Sequence, residues 1–208
     1  MGLRERKERN KQNLRQAILD AAQELFVQNG YVNVSMRKIA DKIEYSPTTI
    51  YLYFKNKHGI FEALMEDYFT RLKHAFDSSK HEKRDLLTSM KNDMRTYILF
   101  GLENPNYYRL AFMSNPEMFN DNYLKAGETG TEVFMNLKTY VSECIRLGIF
   151  RQMDVDLAVQ VIWTMNHGIT SLLISNPNFP WVDKELLINQ SIESTIEGFR
   201  SKEYNHLH

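Results

Sequence analysis

The stretch SPTTIYLYFKNKHGIF, residues 46–61, places three aromatic side chains within the four positions 51–54. Ser46 can cap a helix, and Pro47 suits the first turn, where a missing N–H costs no hydrogen bond. About two turns later, Asn56 can cap a longer helix that we expect to reach about residue 79. The stretch therefore predicts a short aromatic helix followed at once by a long one.

A second short helix is predicted just before this stretch. Ser35 can cap it, and its apolar residues share one side: Ile39, Ala40 and Ile43. A three-residue turn, residues 44–46, joins it to the aromatic helix. Two short helices joined in this way have the dimensions of a helix-turn-helix.

The aromatic helix has an inner and an outer side. Ile50 and Phe54 lie four residues apart and are expected to face the preceding helices. The outer side then holds hydroxyl and phenol groups, which suit the major groove because threonine reaches base edges and tyrosine reaches phosphate oxygens. Basic residues flank it at Arg37, Lys38, Lys55 and Lys57. The alternative is a polar helical surface in an all-α protein without a DNA role.

The rest of the chain also predicts helices, about nine in all, and no strand pattern of useful length. An amphipathic helix runs from Leu14 to a stop at Gly30, and later helices begin near Asn104-Pro105 and Asp154. Gly148 and Asn176-Pro177 are predicted stops. We predict an all-α fold with a helix-turn-helix head, including the basic N-terminal arm, at residues 1–56 and a second helical domain at residues 57–208.

Charge is distributed unevenly along a chain whose formal net charge is +0. Residues 1–60 hold eleven Lys or Arg against six acids, and the remaining residues hold fifteen against twenty. The single cysteine, Cys144, excludes an internal disulfide and fits a reducing cytoplasm. No apolar signal segment opens the sequence, and polar residues interrupt the most apolar helix, at about 155–175. We therefore expect a cytoplasmic protein without a membrane span.

The segment VSMRKIADKIEYSPTTIYLYFKNKHGIFEAL, residues 34–64, resembles the helix-turn-helix of TetR-like transcriptional regulators. The positions in register with that family's pattern are Ile39, Ala40, Ser46, Thr49, Tyr51, Phe54 and Lys57. The resemblance implies a homodimer on a palindromic double-stranded DNA operator and a C-terminal domain that binds an inducer. By position it implies DNA contacts from Ser46 and from three further groups: Arg37 and Lys38 on phosphate or the groove edge, Pro47, Thr48 and Thr49 on bases, and Tyr51, Tyr53 and Lys57 on the backbone.

Two features of the head are not settled by the resemblance: the residue in the turn and the role of the N-terminal arm. Glu44 stands where the family usually has glycine, at a position that often needs a left-handed backbone, which costs a non-glycine residue roughly 1 kcal/mol. The basic N-terminal arm, MGLRERKERNKQNLR, is either a solvated helix extension or an arm that contacts phosphate or the minor groove.

Beyond residue 79 the sequence is rich in methionine and aromatic residues, which suits a pocket for apolar ligands, although ordinary core packing is the alternative. The piece IWTMNHGITSLLI, residues 162–174, resembles the Trp-x-x-x-His-Gly signature of one TetR C-terminal subgroup, and NPNYYRLAFM, residues 104–113, resembles an earlier helix of the same subgroup. The predicted ligand contacts are Met94, Tyr97, Phe112, Phe134, Trp163 and His167, the last giving one polar contact.

Dimerisation is predicted to involve the last two helices. An apolar stripe on the final helix exceeds what one neighbouring helix can cover, so we assign it to a four-helix bundle with a second subunit: Ile188, Ile192, Ile196 and Phe199. Gly168, inside the preceding helix, predicts a close helix approach because glycine is otherwise costly there.

Enzymatic chemistry is not predicted, since the sequence has no Gly-rich phosphate loop, no cysteine pair and no His-Glu-x-x-His motif. We predict no cofactor and no metal site, because His74 and His81 lack a third ligand nearby. The competing hypothesis is an all-α small-molecule carrier or enzyme without a DNA role. The effector, the operator sequence and the choice between repressor and activator are not determined by the sequence.

Overall fold

The computed structural model describes residues 2–79, 85–113 and 128–202. Over these residues the chain forms nine α-helices and a 3-10 turn at Tyr31–Asn33, with no strand beyond an isolated bridge between Phe150 and Arg200. The helices are α1 (Leu3–Asn29), α2 (Met36–Lys42), α3 (Pro47–Tyr51), α4 (Lys57–Ser79), α5 (Leu86–Glu103), α6 (Pro105–Phe112), α7 (Glu128–Arg146), α8 (Val155–Ser175) and α9 (Lys184–Glu197). The predicted all-α class is confirmed.

Side-chain caps define several of these boundaries as predicted. Ser35 Oγ accepts the N–H of Lys38 at 3.2 Å, Asn56 Oδ1 accepts the N–H of Gly59 at 2.9 Å, and Asp154 Oδ1 accepts the N–H of Leu157 at 2.7 Å. Each cap satisfies a backbone donor that the first helical turn leaves without an intrahelical partner.

The chain divides into two compact units, and the division differs from the one predicted at residue 56. Of the described residues, 2–68 and 106–113 belong to the first unit, and 69–105 and 128–202 belong to the second. The boundary lies within α4 because the first three turns of this helix supply core residues to the head: Ile60, Phe61, Leu64 and Met65. Residues 106–113 join the same core through Leu110 and Ala111.

The core of the first unit explains how the head is held. Ile18, Ala22 and Phe26 of α1 are fully buried together with Ile39 and Ala40 of α2. The helix extends to Leu3, so the basic arm is a continuation of α1.

The second unit is built around α8, which contacts α5, α7 and α9. Its core-facing side carries Ala158, Val159, Ile162 and Leu173. By length and composition alone, α8 is the one helix in the described residues that could cross a membrane, with a mean hydropathy of 1.3. Central helices of packed domains have the same composition, since they are apolar on more than one side.

Candidate nucleic-acid interface and effector site

The third helix is fixed at its start and along its inner side. Ser46 Oγ accepts the N–H of Thr49 at 3.2 Å, and Pro47 occupies the first helical position. Ile50 is fully buried and Phe54 nearly so, both in the core of the head. These anchors leave the opposite side of α3 in solvent, as a helix that reads a DNA groove requires.

The turn between α2 and α3 keeps a left-handed residue although glutamate stands where the family usually has glycine. Glu44 has φ of +60°, and it is the one non-glycine residue with positive φ among those described. The N–H of Tyr45 donates to the carbonyl of Ala40 at 3.0 Å, and the N–H of Glu44 donates to that of Asp41 at 3.3 Å. This pair of bonds is a Schellman motif, which normally has glycine at the left-handed position. The turn is therefore formed at a cost in backbone energy.

The residues assigned to base contacts differ in how free they are. Thr48 is exposed, and Pro47 beside it is half-buried. The Thr49 hydroxyl lies 2.9 Å from Ser46 Oγ, so it is already part of the helix cap. Thr48 is therefore the more available of the two threonines for a base edge.

The residues assigned to the DNA backbone fall into two groups. Tyr51 is about half exposed and Arg37 is exposed, with only a 3.9 Å ion pair to Asp41. By contrast, Lys38 donates through Nζ to the carbonyl of Asn33 at 2.9 Å. Tyr53 is half-buried against the core. The structure thus leaves Tyr51 and Arg37 as the more accessible members of this set.

Lys57 has a role inside the head that its sequence position did not reveal. Its Nζ donates to the carbonyl of Tyr31 at 2.7 Å and lies 4.2 Å from the centre of the Tyr31 ring. Partial burial lowers the pKa of this ammonium. In this structure the Lys57 ammonium connects the first residue of α4 to the 3-10 turn, and its contact with the DNA backbone stays a prediction.

In the second unit, α5 and α8 bring together a polar and aromatic cluster. The Tyr97 hydroxyl lies 2.9 Å from His167 Nε2, and the Trp163 and His167 rings meet edge-on with centroids 4.5 Å apart. Burial lowers the pKa of His167 to about 4, so the imidazole is neutral near pH 7. A neutral imidazole beside a phenol offers hydrogen bonds without a net charge.

The other predicted effector contacts are not all in this neighbourhood. Met94 is buried in the core of the second unit, and Phe134 packs against the same core. Phe112 belongs to the first unit, where its ring centroid lies 5.0 Å from that of Tyr108. The second unit therefore contains five of the six predicted effector contacts, and Phe112 lies in the first unit.

Asn166 was not predicted as a site residue, although an amide inside an apolar helix was a visible signal. Its side chain is buried, and its Oδ1 accepts no hydrogen bond within the described part of the chain. Thr170, one turn further on the same side, uses its hydroxyl to bond the Asn166 carbonyl at 2.7 Å. A buried acceptor without a donor marks a position where a ligand or water can bind.

The predicted dimer stripe, on α9 and at Phe199 just after it, is corrected by the packing. Its four residues are buried within the protomer, with Ile188 at 1%, Ile192 at 4%, Ile196 at 0% and Phe199 at 6% exposure. They complete the core of the second unit with α5 and α8, so a partner cannot cover them without unpacking that core. An apolar stripe has the same sequence pattern whether a second subunit or other helices of the same protomer cover it.

One exposed apolar surface of the second unit lies on the outer side of α8. Five residues at helical spacing form this α8 stripe: Leu157, Val161, Thr164, Gly168 and Leu172. A Cβ added at Gly168 would meet nothing within 4 Å, so the close helix approach predicted there does not occur inside the described protomer.

Comparisons with known proteins agree with this architecture. The family described as "Bacterial regulatory proteins, tetR family" matches residues 18–64, and the "Tetracyclin repressor-like, C-terminal domain" matches residues 91–199. The "Fatty acid metabolism regulator protein" of Bacillus subtilis (strain 168) is 28% identical over 195 residues, covering 89% of this chain and 95% of the relative.

Two solved structures share the fold. The fatty acid degradation regulator FadR from Bacillus halodurans superposes with a TM-score of 0.73 at 22% identity, covering 90% of this chain and 97% of that one. The ketosteroid transcriptional regulator KstR2 of Mycobacterium tuberculosis gives a TM-score of 0.71 at 15% identity, covering 90% of this chain.

The capped α2–turn–α3 unit, with its inner side buried and its outer side in solvent, defines a DNA-binding protein of the helix-turn-helix class. The two family matches identify one family within this class, because together they cover much of the head and most of the second unit. The chain belongs to the TetR family of transcriptional regulators, which are DNA-binding proteins and not enzymes.

Proposed function

We propose that this regulator is a homodimeric repressor, released from a palindromic operator when an apolar effector binds its second unit. The observation that carries the DNA half of the proposal is the outer side of α3, where Thr48 and Tyr51 are exposed beside a buried Ile50. Thr48 meets base edges, and Tyr51 and Arg37 contact phosphate. The cytoplasm is the compartment that such a regulator requires.

The effector is proposed to be an apolar molecule of lipid metabolism with one neutral polar group. Relatives named for fatty acid metabolism and for ketosteroid regulation support the apolar part. The pair formed by Tyr97 and His167 supports the polar part, because it can bond a carbonyl or hydroxyl but holds no cation for a free carboxylate. Trp163 fits the Trp-x-x-x-His-Gly subgroup and would flank this contact.

The dimer is proposed to form across the α8 stripe. Val161 and Leu172 supply exposed apolar surface there, and the open space at Gly168 lets a second helix approach closely. The pair Val161→Glu and Leu172→Glu should give folded monomers by sedimentation, because charge would replace the apolar contact. Ile192→Glu should instead unfold the protomer. If the pair variant stays dimeric at micromolar concentration, the interface lies elsewhere.

Release from DNA follows from linkage between the two ligands. Half-sites must lie about one helical turn, ~34–36 Å, apart for both recognition helices to dock, so a change in head separation loses most of the affinity. An effector that lowers operator affinity must itself bind more weakly, by the same factor, when operator is present.

This reciprocity gives the experiment for the proposal. Fatty acids, their neutral esters and thioesters, and sterols would be screened by thermal shift and then titrated with and without an operator selected from random DNA. We expect the neutral compounds to bind, with equal coupling measured in both directions. In titrations without operator, Tyr97→Phe should weaken binding of the compounds found, whereas Tyr45→Phe, in the head, should not. If Tyr97→Phe and Trp163→Ala leave every hit unchanged, the effector does not bind at this cluster.

A further inference from the structure

The first unit contains a groove of about 970 Å³ whose lining extends beyond the recognition helix α3 to α1. On one side it is lined by the N-terminal half of α1, with Arg4, Lys7, Glu8 and Lys11 among the lining residues. On the other side it is lined by the helix-turn-helix, through Tyr45, Leu52 and Tyr53. We call this feature the flank groove. It joins a basic helix to the C-terminal end of α3.

The basic residues of the groove share one side of α1. Positions 4, 7, 8 and 11 follow the spacing of neighbours on a helix surface, and their side chains sum to a net charge of +2. Arg6 and Arg9 belong to the same basic arm but are not among the residues that line the groove. The helix therefore presents a selected set of cations to the groove.

These cations are available for an external anion. Elsewhere in the head, Lys42 pairs with Glu24 at 2.9 Å, and Lys38 and Lys57 each bond a backbone carbonyl. Within the part of the chain that the structure describes, Lys7 and Lys11 form no ion pair with a carboxylate. Their charge is uncompensated except by Glu8 beside them.

The opposite side of the groove is continuous with the recognition helix. Tyr53 and Tyr45 bring phenolic groups to it, and Leu52, which directly precedes Tyr53, is 79% exposed. Phenol hydroxyls and lysine ammonium groups are both donors to phosphate oxygens. A nucleic-acid strand leaving the outer side of α3 would meet these donors next.

We propose that the flank groove binds the sugar-phosphate backbone of one DNA strand beyond the major-groove contacts of α3. The proposal rests on the DNA-binding role and extends its footprint. From Arg4 to Lys11 the helix rises about 10 Å at 1.5 Å per residue. Arg4, Lys7 and Lys11 are spread along this length, so they can neutralise neighbouring phosphates of one strand. A continuous helix holds these cations at the duplex flank and does not insert into the minor groove.

Two matched double variants test the groove. Lys7→Ala with Lys11→Ala removes two charges from the groove side of α1, and Arg6→Ala with Arg9→Ala removes two from elsewhere on the same helix. Affinity for a selected operator duplex and for a scrambled duplex of the same length would be measured across salt concentrations. Circular dichroism would check that both variants keep their helices.

The groove variant should bind both duplexes more weakly, and its log K against log salt should be less steep by about 1.8 for each engaged protomer, at about 0.9 per phosphate contact. The control variant should keep the wild-type slope. Hydroxyl-radical footprints should lose protection at the operator flanks only in the groove variant. Equal slope changes in the two variants, or none in either, would overturn the groove while leaving the DNA role intact. Failure of the wild-type protein to bind either duplex would overturn the DNA role itself.

Discussion

Replacing Glu44 with glycine should stabilise the head, because the turn between α2 and α3 holds this residue at φ of +60°. A left-handed backbone costs a non-glycine residue roughly 1–2 kcal/mol, and glycine loses roughly 0.5–1 kcal/mol through the greater freedom of the unfolded chain. The Glu44 side chain is exposed, so its removal costs little packing. The net gain should be about 0.5–1 kcal/mol in the free energy of unfolding.

The control is Glu44→Ala, which removes the same charge but keeps a Cβ at the left-handed position. Its free energy of unfolding should stay within about 0.5 kcal/mol of wild type. Both variants should bind DNA of any sequence somewhat more tightly at low salt, since a negative charge leaves the DNA-binding head, and the gain should shrink as salt rises. Stability and affinity are thus separated by one pair of substitutions.

Urea unfolding followed by circular dichroism would compare the three proteins. The glycine variant should be more stable than the alanine variant. If the two have equal free energies of unfolding, the turn stores no strain at this residue, and the left-handed conformation does not lower the stability of the head.

Three further predictions concern the hydrogen bond from Lys57 to the Tyr31 carbonyl, the effector cluster and the recognition helix. Lys57→Met should lower the free energy of unfolding by about 1–2 kcal/mol, because a charged hydrogen bond to a backbone carbonyl is lost, whereas the exposed Lys55→Met should change it by less than about 0.5 kcal/mol. Because the pKa of His167 is lowered to about 4, the unfolded state binds more protons than the folded state between pH 6.5 and about 4. The free energy of unfolding should therefore fall as the pH drops through that range, by at most about 1.4 kcal/mol per pH unit. His167→Gln should flatten this dependence in urea titrations. Thr48→Ala should change the preferred operator sequence while Tyr51→Ala weakens binding to all sequences, and equal losses on matched and scrambled DNA for Thr48→Ala would remove its base-reading role.

The head was predictable because its signals are local. Ser35, Ser46 and Asn56 cap helices through hydrogen bonds that span three residues, so sequence spacing alone specifies them. The left-handed residue Glu44 stands at the position where the resembled family usually has glycine, so the resemblance pointed to it.

Long-range packing was harder to predict. Lys57 bonds a carbonyl 26 residues away, and nothing in its neighbourhood distinguishes that bond from a phosphate contact. Ile192 and its neighbours on α9 form a stripe that suits a partner subunit as well as a core, and only the position of α5 and α8 decides between them. Phe112 was assigned by its aromatic character, although its unit depends on where α6 packs.

Selection of bound sequences from random duplex DNA tests whether the protein binds an operator as a dimer. If two heads of a dimer dock α3 in successive major grooves, the enriched sequences should be inverted repeats whose half-site centres lie about 10–10.5 base pairs, or a multiple of that, apart. Recovery of no enriched sequence, or of an unpaired half-site bound as tightly as the full repeat, would contradict the account of a dimeric, operator-binding regulator.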